Sequence, residues 1–183
     1  MRDLLLHVVM WVAVSTTPSS SFAQGTATPE YQLKAVFLFN FAQFVDWPSS
    51  TFPAPDSPLA ICILGQDPFG AYLDETVRGE AINGRPLAVR RYQQPEEATG
   101  CQILFISRKE TDHLPEALDS LEGHSILTVS DADRFTSLGG MIRFVTEHNR
   151  IRLHINLGAA KAANLTISSK LLRPAQIVSK GGD

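Results

Sequence analysis

The chain has 183 residues, a formal net charge of −3 and 44% apolar residues. Lysines and arginines are dispersed rather than clustered, so the electrostatic footprint of a nucleic-acid-binding protein is absent. Its length fits one domain. Past the N-terminal segment no apolar run nears the ~20 residues of a membrane span, so no membrane insertion of the mature chain is expected.

The N-terminus reads as an export signal. Arg2 precedes Leu4 to Val14, an apolar stretch of signal-peptide size that is too short to cross a bilayer. A Ser/Thr/Pro segment then leads to Ser21-Phe22-Ala23, whose small first and third residues suit a signal peptidase. Residues 1–23 are therefore expected to be cleaved after Ala23, leaving 24–183 as a single α/β domain outside the cytoplasm. Only two cysteines occur, Cys62 and Cys101. In an oxidising compartment they suggest one disulfide, with two buried thiols as the alternative.

Thr28 and Pro29 open a predicted helix that runs to Trp47, where Pro48 stops it. Leu33, Phe37, Phe41 and Phe44 share one face, but Leu38, Phe39 and Val45 lie off it. A helix so widely apolar is buried on several sides or used in a contact. Asn40 falls on the main face, where its amide needs partners for a structural bond or a ligand. The proline-rich stretch from Ser49 to Pro58 is an irregular connector. Leu59–Leu64 has the continuous apolar pattern of a strand covered on both sides. Asp67 and Pro68 introduce a helix from Phe69 to Val77, and Asn83-Gly84 turns into a more polar strand from Pro86 to Tyr92.

Ile103–Ile106 and Ser125–Val129 are further buried strands, separated by a helix over Glu110–Leu121 that Gly123 closes. Asp131–Leu138 reads as a short helix. Met141–Thr146 and Arg150–Asn156 form a predicted antiparallel hairpin, with Ile151, Leu153 and Ile155 alternating against Arg152, His154 and Asn156. Two helices should follow, Gly158–Asn164 and Ser168–Val178, the second kinked or divided by Pro174. The whole pattern predicts a three-layer α/β/α sandwich with a mainly parallel sheet and a C-terminal antiparallel hairpin.

Motifs for chemistry are scarce. The glycine spacing of a dinucleotide fingerprint, the lysine of a phosphate loop and a nucleophile elbow are all missing. His148 and His154 could face each other across the hairpin, but they make a poor metal site. Ser168-Ser169-Lys170 invites a Ser–Lys hydrolase reading, but Ser168 and Ser169 read as caps of the last helix. No catalytic residue, metal or cofactor is therefore expected. Features suited to recognition remain: Trp47 at a helix end, the guanidinium of Arg85 in a turn, and Asn156 at a strand's carboxyl end. The crevice outside such ends is the usual ligand site of a parallel sheet, and Arg85 would favour a small anionic ligand.

These residues sit within stretches that resemble the YfiR family of exported bacterial proteins. The stretches are Lys34–Pro48, Cys62–Gly70, Gly84–Leu87, Cys101–Ser107, Leu127–Val129, Phe135–Ile142, Ile155-Asn156 and Ser168–Leu172. The resemblance runs from about Tyr31 to Val178. It implies a periplasmic repressor that binds the periplasmic sensor region of an inner-membrane diguanylate cyclase, lowering cyclic di-GMP signalling and biofilm formation. It further implies a homodimer, an outer-membrane lipoprotein that sequesters the repressor, and a disulfide at Cys62 and Cys101. Phe39, Asn40, Trp47, Arg85, Asn156, Ser169 and Lys170 are the candidate contacts to partner or ligand. The alternative is a periplasmic small-molecule-binding sensory module acting on another membrane partner.

Overall fold

The structure, a computed structural model, describes residues 27–181. The expected export signal and its cleavage point lie outside them. Helix α1 (Pro29–Phe44) begins where the sequence places it, with Pro29 in the first turn and the Thr28 hydroxyl accepting from the Tyr31 N–H. It ends at Phe44 rather than at Trp47. The β-branched Val45 turns to extended geometry, φ −122° and ψ 135°, and opens strand β1 (Val45–Asp46). This pairs antiparallel with β9 (Thr166–Ile167) in a small separate sheet.

Among the described residues, eight strands form the main sheet. They are β2 (Leu59–Leu64), β3 (Ala81–Ile82), β4 (Arg85–Tyr92), β5 (Ile103–Ile106), β6 (Leu127–Ser130), β7 (Ile142–Glu147), β8 (Arg150–Asn156) and β10 (Gln176–Val178). Their order is β10-β8-β7-β6-β5-β2-β4-β3. Strands β4, β2, β5, β6 and β7 run parallel, and the fully buried β2, β5 and β6 lie at their centre, covered on both sides. The β7–β8 hairpin is antiparallel and closes through His148 and Asn149, both in the left-handed region, at φ 48° and 61°.

Strand alternation sends the apolar side chains into two cores. On the first face Ile61, Ile63, Ile103, Phe105, Leu127 and Val129 pack under α1, α2 (Ala71–Val77), α4 (Leu157–Ala162) and α5 (Ser169–Leu172). On the second face Ala60, Cys62, Leu64, Leu104 and Ile106 meet α3 (Leu114–Ser120) and the turns around Cys101 and Phe135. The three layers agree with the predicted class.

Three predicted elements change. Residues 131–138 form a chain of turns instead of a helix, because Arg134 takes φ 60° and the Gly140 N–H reaches back to the Phe135 carbonyl. The helix expected from Glu110 begins as a 3-10 segment, Arg108–His113, with Glu110 off helical geometry, and becomes α-helical only at Leu114. The last predicted helix stops at Leu172. Pro174 cannot continue it, and Gln176–Val178 instead adds β10 parallel to β8. The hairpin therefore lies one strand in from the sheet edge.

Candidate functional site

Helix α1 spans the sheet from rim to rim, and each of its ends meets a different chemistry. At the carboxyl rim of the parallel strands, the Lys34 ammonium lies 2.6 Å from Asp131 Oδ2 and 2.6 Å from Glu30 Oε1. The Tyr31 hydroxyl donates to the same Asp131 oxygen at 2.7 Å. Lys34 and Asp131 are only 2% and 4% exposed, so both charges are out of water and each needs the other. Asp131 Oδ1 has no hydrogen-bond partner among the described residues, while Arg108 donates to the Asp131 backbone carbonyl at 3.3 Å. The hydrogen bond and charge of Lys34 hold the Glu30 carboxyl below its ordinary value. Burial first, and then the bond to Asp131, push the Tyr31 phenol above its own.

This cluster is a latch between α1 and the end of β6, and the sequence reading missed it. One signal was available. Lys34, Leu38 and Phe41 are spaced as i, i+4 and i+7, which puts a lysine on a buried stripe. Its buried partner, Asp131, lies 97 residues away, which no local pattern reveals.

At the opposite rim Trp47 donates its indole N–H to the Gln102 carbonyl at 3.0 Å. The buried Gln102 side chain in turn accepts from the Ala60 N–H at 2.7 Å, joining the starts of β5 and β2. The Ser168 N–H bonds the Phe44 carbonyl at 2.8 Å, and the Ser168 hydroxyl caps α5. Ser169 and Lys170 are thereby brought, exposed, to the end of α1. Phe39 and Asn40 are half-buried on the last turns of the same helix. Among the candidate contacts, Trp47, Ser169 and Lys170 thus gather at one corner with the end of α1.

Arg85 and Asn156 lie elsewhere. The Arg85 guanidinium donates to the carbonyls of Ala54 and Ser57, both at 2.9 Å, and stacks 3.8 Å from the centre of the Phe52 ring. It fastens the proline-rich connector to β4 rather than standing out from a turn. Asn156 is buried and caps α4 by accepting from the Ala159 N–H at 3.0 Å, and its amide donates to the Thr136 carbonyl. Strand β8 runs against β7 and the parallel strands beyond it, so Asn156 lies at their amino rim, away from their carboxyl rim. Arg85 sits on β4 and Asn156 on β8, five steps apart in the sheet order, roughly 24 Å at ordinary strand spacing. They cannot line one small pocket. His148 lies in the hairpin turn and His154 pairs with Arg143, so the two histidines do not face each other either.

A cleft of about 360 Å³ opens beside the end of β2, walled by Gln93, Glu96, Glu110, His113 and Glu116. Its carboxylates disfavour the anionic ligand that the sequence suggested. Glu110 also packs directly over Gly65, whose φ of +80° and lack of a Cβ make room for it. Cys62 and Cys101 are bridged, with Cα atoms 6.1 Å apart and both residues sealed from solvent. Among the described residues, no group of three or more histidine, cysteine or carboxylate side chains could hold a metal ion, and no helix is long and apolar enough to cross a membrane.

The family model DUF4154, described as YfiR/HmsC-like, matches residues 31–176. That span runs from Tyr31 in the charged latch to the first residue of β10, taking in both rims and the disulfide. The chain belongs to the YfiR/HmsC-like family, a regulatory family of periplasmic proteins that act in diguanylate cyclase signalling.

Proposed function

We propose that this protein is a periplasmic repressor that binds the sensor region of an inner-membrane diguanylate cyclase and holds it inactive, lowering cyclic di-GMP output and biofilm formation. The family match over residues 31–176 carries this reading, because it covers nearly the whole described fold. Repression requires tighter binding to the inactive than to the active cyclase, by about 1–3 kcal/mol or more. The corner made by Phe39, Asn40, Trp47, Ser169 and Lys170 is our choice for part of that interface, since it combines aromatic side chains with an exposed cation. Sequestration by an outer-membrane lipoprotein and a homodimeric state belong to the same reading.

Affinity capture from solubilised membranes tests it. The tagged protein should recover a membrane-anchored diguanylate cyclase, and Trp47→Ala with Lys170→Glu should reduce the yield. Recovery of no cyclase, together with tight retention of a metabolite, would sink the repressor reading. That outcome would favour a ligand-sensing module using the acidic cleft beside β2.

A further inference from the structure

Strands β4, β2 and β5 end level with one another, Leu64 standing beside Tyr92 on one side and Ile106 on the other. The chain passes from β2 to β4 with α2 on the first face, then crosses back to β5 with its 3-10 turn on the second. The two connections therefore part around the end of β2, and in a parallel sheet such a parting leaves a crevice that a ligand can enter. The cleft of about 360 Å³ lies in this crevice, lined by Leu64 and by residues that follow β4 and β5. At ~30 Å³ per water it has room for about a dozen waters, or for one unbranched molecule of about ten non-hydrogen atoms.

Its walls have local causes. After β5 the 3-10 segment Arg108–His113 sets residues three apart above one another, so Glu110 and His113 share a side, and Glu116 extends it into the first turn of α3. Gly65 lets Glu110 settle over the end of β2, where a Cβ would collide with the Glu110 carboxylate. After β4 the 3-10 turn Pro95–Ala98 forms the other wall. There the Glu97 carboxylate turns back to accept from the Gln94 N–H at 3.3 Å, while Glu96 lines the cleft. The buried Leu64 and Ala117 supply apolar surface between the carboxylates. No lysine or arginine lines the cleft, and Glu96, Glu110 and Glu116 form no ion pair among the described residues.

This lining selects by chemistry. Its carboxylates repel an anion. They do not converge closely enough to ligate a metal ion. A neutral polyol would leave all three charges uncompensated. A chain of methylenes carrying ammonium groups matches both parts of the lining, its charges meeting the glutamates and its methylenes lying over Leu64 and Ala117. We propose that the cleft binds a linear aliphatic polyamine, with Glu96, Glu110 and Glu116 as its counter-charges and the side-chain oxygens of Gln93 and Gln94 accepting from its N–H groups. The site lies at the carboxyl rim, whereas the corner at Trp47 lies at the opposite one, so amine binding and cyclase capture stand or fall separately.

Titration of the full protein purified from the periplasm with spermidine, followed by amide NMR shifts and calorimetry, tests the proposal. Binding should saturate with a dissociation constant below about 1 mM at low salt, and weaken about tenfold between roughly 50 and 500 mM salt. The shifts should centre on Leu64-Gly65, Gln93–Glu96 and Glu110–Ala117. Butylamine, with one ammonium group, and magnesium chloride, with charge but no methylenes, should each bind about tenfold more weakly there. The double variant Glu110→Gln with Glu116→Gln should melt like the wild type and lose about tenfold in spermidine affinity. The proposal is overturned by a titration that does not saturate by about 10 mM, or by shifts scattered over the acidic surface without a focus on the cleft. Magnesium or butylamine binding as tightly as spermidine at these residues would overturn it without any variant, and so would a folded double variant that binds like the wild type.

Discussion

The two faces of the sheet bury comparable strands by different means. The first is closed by four helices whose apolar side chains interlock with the strands, Phe41 stacking on Phe144 with centroids 5.9 Å apart, and by Phe69 in the turn before α2, edge-on to Phe105 at 4.8 Å. Among the described residues, the second is covered over β2 and β5 by α3, short 3-10 segments and irregular turns, and there the chain is cross-linked by Cys62–Cys101. Where helical cover is ample, burial alone supplies the stability. Where it is short, a covalent restraint lowers the entropy of the unfolded chain instead. The first face should accordingly behave as the stable unit and the second as a dependent one.

The most severe test removes a fixture of the first face. Phe41→Ala should cost about 3–5 kcal/mol in denaturant unfolding, since Phe41 is fully buried. Lys34→Ala should cost a similar ~3–5 kcal/mol, because it leaves the Asp131 carboxylate buried with only the Tyr31 hydroxyl. Replacing both cysteines by alanine opens a crosslink spanning 39 residues and should cost roughly 3–4 kcal/mol. Hydrogen exchange should then quicken in α3 and the turn at Cys101 while α1 amides stay protected. Equal loss on both faces would break the comparison. Asn156→Ala removes a cap and should cost about 1–2 kcal/mol.

The smallest effects are in pH dependence. Tyr31 has a folded value raised above its ordinary 10.0, so its contribution is complete below pH 10 and is lost as the pH climbs beyond it. Tyr31→Phe should flatten that alkaline limb in a melting series. Glu30 has the opposite sign. Its folded value is lowered from 4.5, so its contribution is present above that pH and fades in acid. The Glu30 side chain is 44% exposed, and Glu30→Gln should change the acid limb only slightly.

Strands with continuous apolar patterns were legible almost to the residue. Leu59–Leu64, Ile103–Ile106 and Arg150–Asn156 stand as predicted, because burial on one or both faces leaves a local imprint. Asp131–Leu138 was misread because its composition suits a helix, while the Arg134 backbone and the packing of Phe135 against the second core are tertiary outcomes. Pro174 signalled an interruption but not that the next residues would join a sheet, which depends on the edge β8 offers. Of the candidate contacts, Asn156 was legible as a possible cap, and that is its structural role. Arg85 was not legible as a clamp, since the carbonyls it holds belong to residues 28 and 31 positions earlier in a connector without periodicity.

The short strand β10 bears on how this chain withstands proteolysis. It covers the outer edge of β8 at His154, Ile155 and Asn156, leaving the rest of that edge to Arg150 and Arg152. Arginines deter stray pairing, whereas an open edge beside Ile155 would invite it. A protease nick in the turn at residues 173–175 would remove little of the core. It would still open a guarded sheet border to pairing with another chain, so β10 acts as insurance against aggregation more than as ballast for the fold.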